Sequence, residues 1–202
     1  MEQTKKYVIS IDVGIIHLAI VGAFIEEDFS YTDIDFCELV DITNFVRNCN
    51  ILECDLYHER SISDWMAHFF KNKHELLSRA SYILVERQPL CGLVAVQELI
   101  NTKYRDKTIL VQPSAMHKHF DIGTFTYDHR KDVVCKIANS HLKNFPHFIK
   151  NERKHDMADA YCILSYWCNF MKKIYIRDKK LIEWKRNNSS FVAEMESFKY
   201  NI

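Results

Sequence analysis

Tyr7-Val8-Ile9-Ser10-Ile11-Asp12-Val13-Gly14 is an apolar run that reads as a buried strand, yet it carries a carboxylate two residues before a glycine. Period-two alternation puts Tyr7, Ile9, Ile11 and Val13 on one face and Val8, Ser10 and Asp12 on the other. An unpaired carboxylate inside a sheet is costly or takes up a proton, so Asp12 must be paired, hydrogen-bonded or holding a metal. Gly14 is expected to let the chain turn tightly with no side chain over that carboxylate. The plainer alternative is a strand-end Asp capping a turn, and the rest of the chain decides between the two.

Residues 17–26 (HLAIVGAFIE) form a second β-branched run, close enough to the first to make an antiparallel hairpin. A third strand is expected over 36–43, after the polar turn Glu26-Glu27-Asp28, and 44–59 read as irregular. Ser61 or Ser63 can cap a helix to about Ala80, striped by Ile62, Trp65, Met66, Phe69, Phe70, Leu76 and Leu77. Residues 81–87 (SYILVER) are a short buried strand that again ends in a carboxylate, Glu86. Pro89 is placed to start a helix, and 90–100 are apolar almost all round, so that helix is either sandwiched in the core or faces a second subunit. Residues 108–112 (TILVQ) close a parallel, right-handed strand-helix-strand unit. Helices are expected over 114–119, 129–142 and from 155 onward, with a C-terminal helical extension from about 177 to Phe198. The fold class is therefore α/β, with a five-stranded mixed sheet, three antiparallel strands then two parallel, flanked by helices. One domain over 1–202 is expected, since a chain of this length buries most of its surface in a single core.

Only four glycines and three prolines among 202 residues argue against disorder and repeats. No stretch approaches the ~20 apolar residues of a membrane span, and residues 1–6 are too polar to start a signal peptide, so a cytoplasmic protein is expected. Seven cysteines, without a Cys-x-x-Cys pair, read as reduced core thiols. Cys49, Cys54 and His58 stand near one another, but their spacing matches no closed four-ligand zinc pattern. The formal net charge is zero, yet residues 1–60 hold 4 Lys/Arg against 12 Asp/Glu and residues 61–202 hold 23 against 15. Such asymmetry gives a basic face able to bind a polyanion.

Asp156 and Asp159 lie three apart at a helix start, where their side chains share a face and the macrodipole favours negative charge. With Asp12 and Glu86 they make four carboxylates that the strand order can bring together. Four so close cannot all ionise without cations. Hard oxygen ligands select Mg²⁺ or Mn²⁺, and two such ions about 3.5–4 Å apart form the clamp for in-line phosphoryl displacement. Nucleotide binding of the sugar-kinase and actin type, which also starts from Asp-x-Gly, needs glycine-rich phosphate loops that glycines at 14, 22, 92 and 123 do not supply, so no nucleotide cofactor is expected.

Ile11-Asp12-Val13-Gly14, Leu84-Val85-Glu86-Arg87-Gln88 and His155-Asp156-Met157-Ala158-Asp159-Ala160 together resemble the acidic motifs of the RuvC-like Holliday junction resolvases of the ribonuclease H superfamily, most closely their poxviral members, over roughly residues 6–170. The resemblance implies Asp12, Glu86, Asp156 and Asp159 as ligands of two Mg²⁺ ions, with Lys118 and Lys131 meeting the scissile phosphate or nearby backbone. It implies a homodimer that cuts four-way or branched DNA by paired symmetric nicks, leaving 5′-phosphate and 3′-hydroxyl ends, and a host-cell cytoplasmic setting if the likeness is poxviral. On that reading Lys103, Arg105, Arg130, Lys143, Lys150, Arg153 and Lys154 are candidate phosphate contacts, and Leu93, Val96, Leu99 and Ile100 a candidate dimer interface. His155 is expected to be a hydrogen-bonded helix-start residue. Two rivals keep the fold: a nuclease of RNA·DNA hybrid or structured RNA, and a non-catalytic nucleic-acid-binding protein.

Overall fold

The computed structural model describes residues 5–188. Strands β1 (Lys6–Asp12), β2 (Leu18–Ile25) and β3 (Ile34–Val40) form an antiparallel meander; β4 (Tyr82–Glu86) adds to β1 in parallel and β5 (Thr108–Val111) to β4, giving the order β3-β2-β1-β4-β5. The expected five-stranded mixed sheet is thus the observed one. Helices α1 (Thr43–Arg47), α2 (Ile62–Asn72), α3 (His74–Arg79), α4 (Val94–Lys103), α5 (Pro113–His119), α6 (Tyr127–Leu142), α7 (Pro146–Lys150) and α8 (Lys154–Asn187) complete the described chain.

The alternation in β1 divides two cores. Tyr7, Ile9 and Ile11, with Leu18 and Ile20 of β2, pack against Met66 and Phe69 of α2, Leu77 of α3 and Val96 and Ile100 of α4. Val8, with Ala19, Val21 and Leu84, packs against α6 and α8 through Val134, Ala138, Met157, Ala158 and Leu164. Ser10, on the second face, is fully buried, and its hydroxyl donates to the Ala160 carbonyl at 2.7 Å, pinning the first turns of α8 across β1.

Several local expectations are corrected. The third strand begins two residues earlier than expected and ends at Val40, because Asp41 Oδ1 accepts from both the backbone N–H and the hydroxyl of Thr43 and turns the chain into α1. Ser61 does cap α2, accepting from the Asp64 N–H at 3.2 Å, but the helix breaks at Lys73 (φ −97°, ψ 17°). Lys73 turns to an ion pair with Glu38 at 2.6 Å, and α3 delivers Leu77 to the core that α2 already serves. α4 begins at Val94 and not at Pro89. Residues 89–92 form a turn in which the Gly92 N–H donates to the Pro89 carbonyl, while the Gln97 side chain accepts from the Gln88 N–H at 2.7 Å, so Leu90 is left fully exposed. Gln97 and Asn101 are buried, so α4 is not apolar all round. Val96 and Ile100 are 0% exposed in this chain's own core and cannot form a subunit contact; Leu93 and Leu99 remain half-buried. The separate C-terminal segment from 177 is, as far as Asn187, the unbroken continuation of α8, and the part of that expectation over 189–198 lies outside the described residues.

Gly14 is required for a backbone reason. A Cβ there would sit 2.4 Å from the His17 carbonyl oxygen, so the constraint is the tight β1–β2 turn itself. Among the described residues no helix is long and apolar enough to cross a membrane. The Ser10 bond joins positions 150 residues apart. Ser10→Ala should lower unfolding stability by about 1 kcal/mol, read as a shift of the urea midpoint with an unchanged slope.

Candidate metal centre

The parallel register pairs Ile11 with Val85, which makes Asp12 and Glu86 the next neighbours at the C-terminal ends of β1 and β4. Both then lie on the face of Val8 and Ser10, the face that α8 covers. Asp156 and Asp159, one turn apart at the start of α8, are carried onto them by the Ser10–Ala160 bond. Carboxylate oxygens of Asp12, Asp156 and Asp159 lie within 4.8 Å of one another. Glu86 adjoins this trio through hydrogen-bonding contact with Asp12 and accepts from the Gln88 amide at 2.7 Å.

Burial raises the Asp12 carboxyl well above its ordinary range, and the neighbouring charges of Glu86 and Asp159 add to the shift. Glu86 is raised by burial against its hydrogen bonds from Asp12 and Gln88, and Asp159 by burial against the opposing charge of Lys131. Lys131 of α6 is the principal counter-ion. It pairs with Asp159 in a short contact and approaches Asp156 at 3.7 Å; although burial works against its charge, Asp159 first and then Asp12 hold its ammonium above the ordinary lysine value. Arg153 grips Asp156 with two nitrogens at 2.8 and 3.3 Å, and His155 Nε2 lies 3.2 Å from the same carboxylate. Burial lowers the His155 pKa, outweighing the opposing effect of Asp156.

Two cations against four carboxylates leave a net negative, partly desolvated pocket of oxygen donors. That donor set fits a hard divalent ion: the converging trio offers carboxylate oxygens, and the raised Asp12 pKa records burial together with like-charge repulsion that such an ion relieves.

The basic residues anticipated from sequence divide sharply. Lys131 and Arg153 touch the acids, and Lys150 and Arg153 line a cleft of ≈ 690 Å³ with His17, His147, Asn151 and Glu152. Lys154 is exposed at the start of α8, and Arg130 donates to the Phe125 carbonyl at 3.3 Å beside Lys131. Lys118 is exposed on α5, where it borders a separate depression with Ser114, His117, Asp121 and Thr124. Its neighbour His117 lines the same depression but is half-buried, close enough to the centre to feel its charges. Burial depresses its pKa, and the charges of Arg130, Asp159 and Lys131 all act on it. Sequence reasoning missed His117 because a short helix of three basic residues, His117, Lys118 and His119, does not declare its inner face. Lys103 and Arg105 are exposed just before β5, at the edge of the sheet opposite to Asp12 and Glu86, and Lys143 is about 18 Å of helix beyond Lys131. These three are too far along their elements to share a phosphate with the acids.

The raised carboxyl groups have a signed consequence. A carboxyl with its folded pKa above the unfolded value (about 4) contributes stability that is complete below that value and is lost as pH rises through the folded pKa. Asp12→Asn, which removes that penalty, should therefore raise the melting temperature at neutral pH in the presence of EDTA, by roughly 2–4 °C for each kcal/mol relieved. Adding Mg²⁺ should stabilise the wild-type chain and leave the variant unmoved, and the wild-type gain should shrink as pH falls. Calorimetry at two pH values, with and without Mg²⁺, checks all three outcomes.

No protein-family model matches the chain, and no curated protein sequence does. Solved structures do. The fowlpox virus resolvase in complex with substrate Holliday junction DNA has a TM-score of 0.54 at 15% identity, over 82% of this chain and 98% of that one. The fowlpox virus Holliday junction resolvase in a second structure has 0.54 at 10% identity, over 81% and 98%. Thermus thermophilus RuvC in complex with a Holliday junction substrate has 0.50 at 13% identity, over 83% and 97%. The similarity covers most of the chain, which has the ribonuclease H-like fold of the RuvC-type resolvases.

Proposed function

We propose that this protein is a metal-dependent endonuclease that resolves four-way DNA junctions by paired symmetric nicks. The observation that carries the reading is the convergence of Asp12, Asp156 and Asp159 oxygens, with Glu86 adjoining, at the C-terminal edge of a ribonuclease H-like sheet. Asp12, Glu86, Asp156 and Asp159 are the ligands for Mg²⁺, with Mn²⁺ able to substitute. Divalent metal held there supplies Lewis acidity to the attacking water and to the leaving 3′ oxygen. Water attack at phosphorus with loss of that oxygen leaves a 5′-phosphate and a 3′-hydroxyl.

The chain's own residues supply the rest. Lys131 is a cation already held at the acids, able to pass its charge to a phosphate oxygen as the acids are neutralised. Arg153 and His155 fix the rotamer of Asp156. The open cleft of Lys150, His147 and Arg153 adjoins the acids through Arg153, which pairs with Asp156, and suits a phosphodiester backbone read by charge and shape. The fowlpox and Thermus proteins bind Holliday junctions, and a two-fold dimer of this chain would present two equivalent centres to opposing strands. Half-buried Leu93 and Leu99, next to exposed Leu90, are the remaining apolar candidates for that contact. We take the chain as one nuclease domain, acting in the cytoplasm of an infected cell if it is viral.

A labelled four-way junction with Mg²⁺ should show paired nicks at opposed positions. Asp12→Asn and Asp159→Asn should abolish cleavage while junction binding persists, and Lys131→Ala should slow it by roughly 10²-fold. Faster cutting of an RNA·DNA hybrid would move the substrate to hybrids, and metal-independent binding with no nicking of either would leave only a nucleic-acid-binding role.

A further inference from the structure

Between α1 and α2 the chain runs from Asn48 to Ser61 without a helix or strand, and none of these residues enters either core cluster. Ile51, Leu52 and Tyr57 are 67%, 96% and 82% exposed, so apolar burial does not hold this loop. What the loop turns inward is a set of metal-binding side chains. Cys49, Cys54 and His58 converge on His68 of α2, one ligand atom from each lying within 4.8 Å of the other three. We propose that these four residues form a closed zinc site, which anchors the loop to α2 on the sheet face opposite α8.

Three observations support it. The first is distance. A tetrahedral zinc with the usual Zn–N and Zn–S bonds sets N···N edges of about 3.3 Å and N···S edges of about 3.6 Å. His58 Nε2 and His68 Nε2 are 3.3 Å apart, and Cys54 Sγ and His68 Nε2 are 3.6 Å apart. The second is tautomer. His68 is buried, and its Nδ1 lies 2.8 Å from the Asp64 carbonyl oxygen, which can only accept. Nδ1 therefore carries the proton and Nε2 turns its lone pair to the cluster, as ligating histidines do when their second nitrogen is held by a carbonyl. The third is satisfaction. One Nε2 lone pair faces both the Cys54 sulfur and the His58 nitrogen and can accept from one at a time, whereas a cation engages all the donors together.

Two thiolates and two neutral imidazoles suit zinc, unlike the all-oxygen centre at Asp12. Binding releases the two thiol protons and leaves a neutral complex. With four protein ligands no position is open to water, so the site is structural. The ligand spacing is Cys-x4-Cys-x3-His-x9-His, and only the fold joins its last member to the others.

The test uses the full chain in excess Mg²⁺, which occupies the carboxylate centre. Zn²⁺ should bind at one per chain, and Co²⁺ in its place should give the visible bands of a tetrahedral two-sulfur, two-nitrogen site. Chelating the zinc should speed tryptic cleavage at Arg47 and Arg60, which flank the loop. Cys54→Ser and His68→Gln should weaken Zn²⁺ by more than the roughly 10–100-fold that loss of an outer-shell partner costs, while Asp12→Asn binds it unchanged. The proposal is overturned by a chain that takes up no zinc, by zinc retained in the Cys49→Ser/Cys54→Ser double variant, by a Cys49–Cys54 disulfide in freshly prepared protein, or by tryptic cleavage indifferent to the metal. None of these outcomes depends on whether the carboxylate centre cuts DNA.

Discussion

Negative charge concentrated at one edge of the sheet is the constraint to which the rest of the site answers. Asp12 ends a strand whose other residues are almost wholly buried, and Glu86 ends the strand beside it in parallel register. Such a pair is tolerable only where counter-charge arrives. Lys131 from α6 and Arg153 from the approach to α8 bring it, but α8 adds two more acids at the same time. The arrangement remains short of positive charge, and burial amplifies the shortfall because little water screens it.

The scaffold is built to hold that unfavourable arrangement. Asp12 sits at the junction of both cores, with Ile9 and Ile11 locked against α2 and α4 while Val8 and Ser10 are locked against α8. A close-packed sheet transmits little slack, so the acids cannot drift apart to relieve their repulsion. Rigid strands and one long helix thus preserve a metal-ready geometry that flexible loops would lose. The loop between α1 and α2 shows the contrary case, with its inward side chains suited to a soft metal and no apolar anchor of its own.

How much could be read in advance follows from how local each signal is. The strands were legible because period-two alternation and β-branched runs are properties of a few consecutive residues, and β1, β2, β4 and β5 lie where those patterns fall. The start of α4 was not legible. The hydrogen bonds of Gln88 and Gln97, rather than the favourable position of Pro89, decide where its helix begins. α7 and α1 escaped because five-residue helices carry no full apolar period. Val96 and Ile100 illustrate a recurrent ambiguity, since an apolar helix face reads the same whether a sheet or a second subunit covers it.

By itself the sequence marked the five strands and set Asp12 and Glu86 apart, because a carboxylate within an apolar strand is anomalous wherever the strand lies; Asp156 and Asp159 were marked by their spacing at a helix start. Only the tertiary structure decided which bases serve those acids. It chose Lys131 and Arg153, left His117 half-buried within reach of the centre's charges and Lys118 exposed, and put Lys103 and Arg105 at the far edge of the sheet. It also added His68 to three ligands whose spacing had closed no known pattern. The reason is the same in each case. Burial marks an acid from its immediate neighbours in sequence, whereas the partner of a charge or a metal is set by the direction a helix face takes after packing.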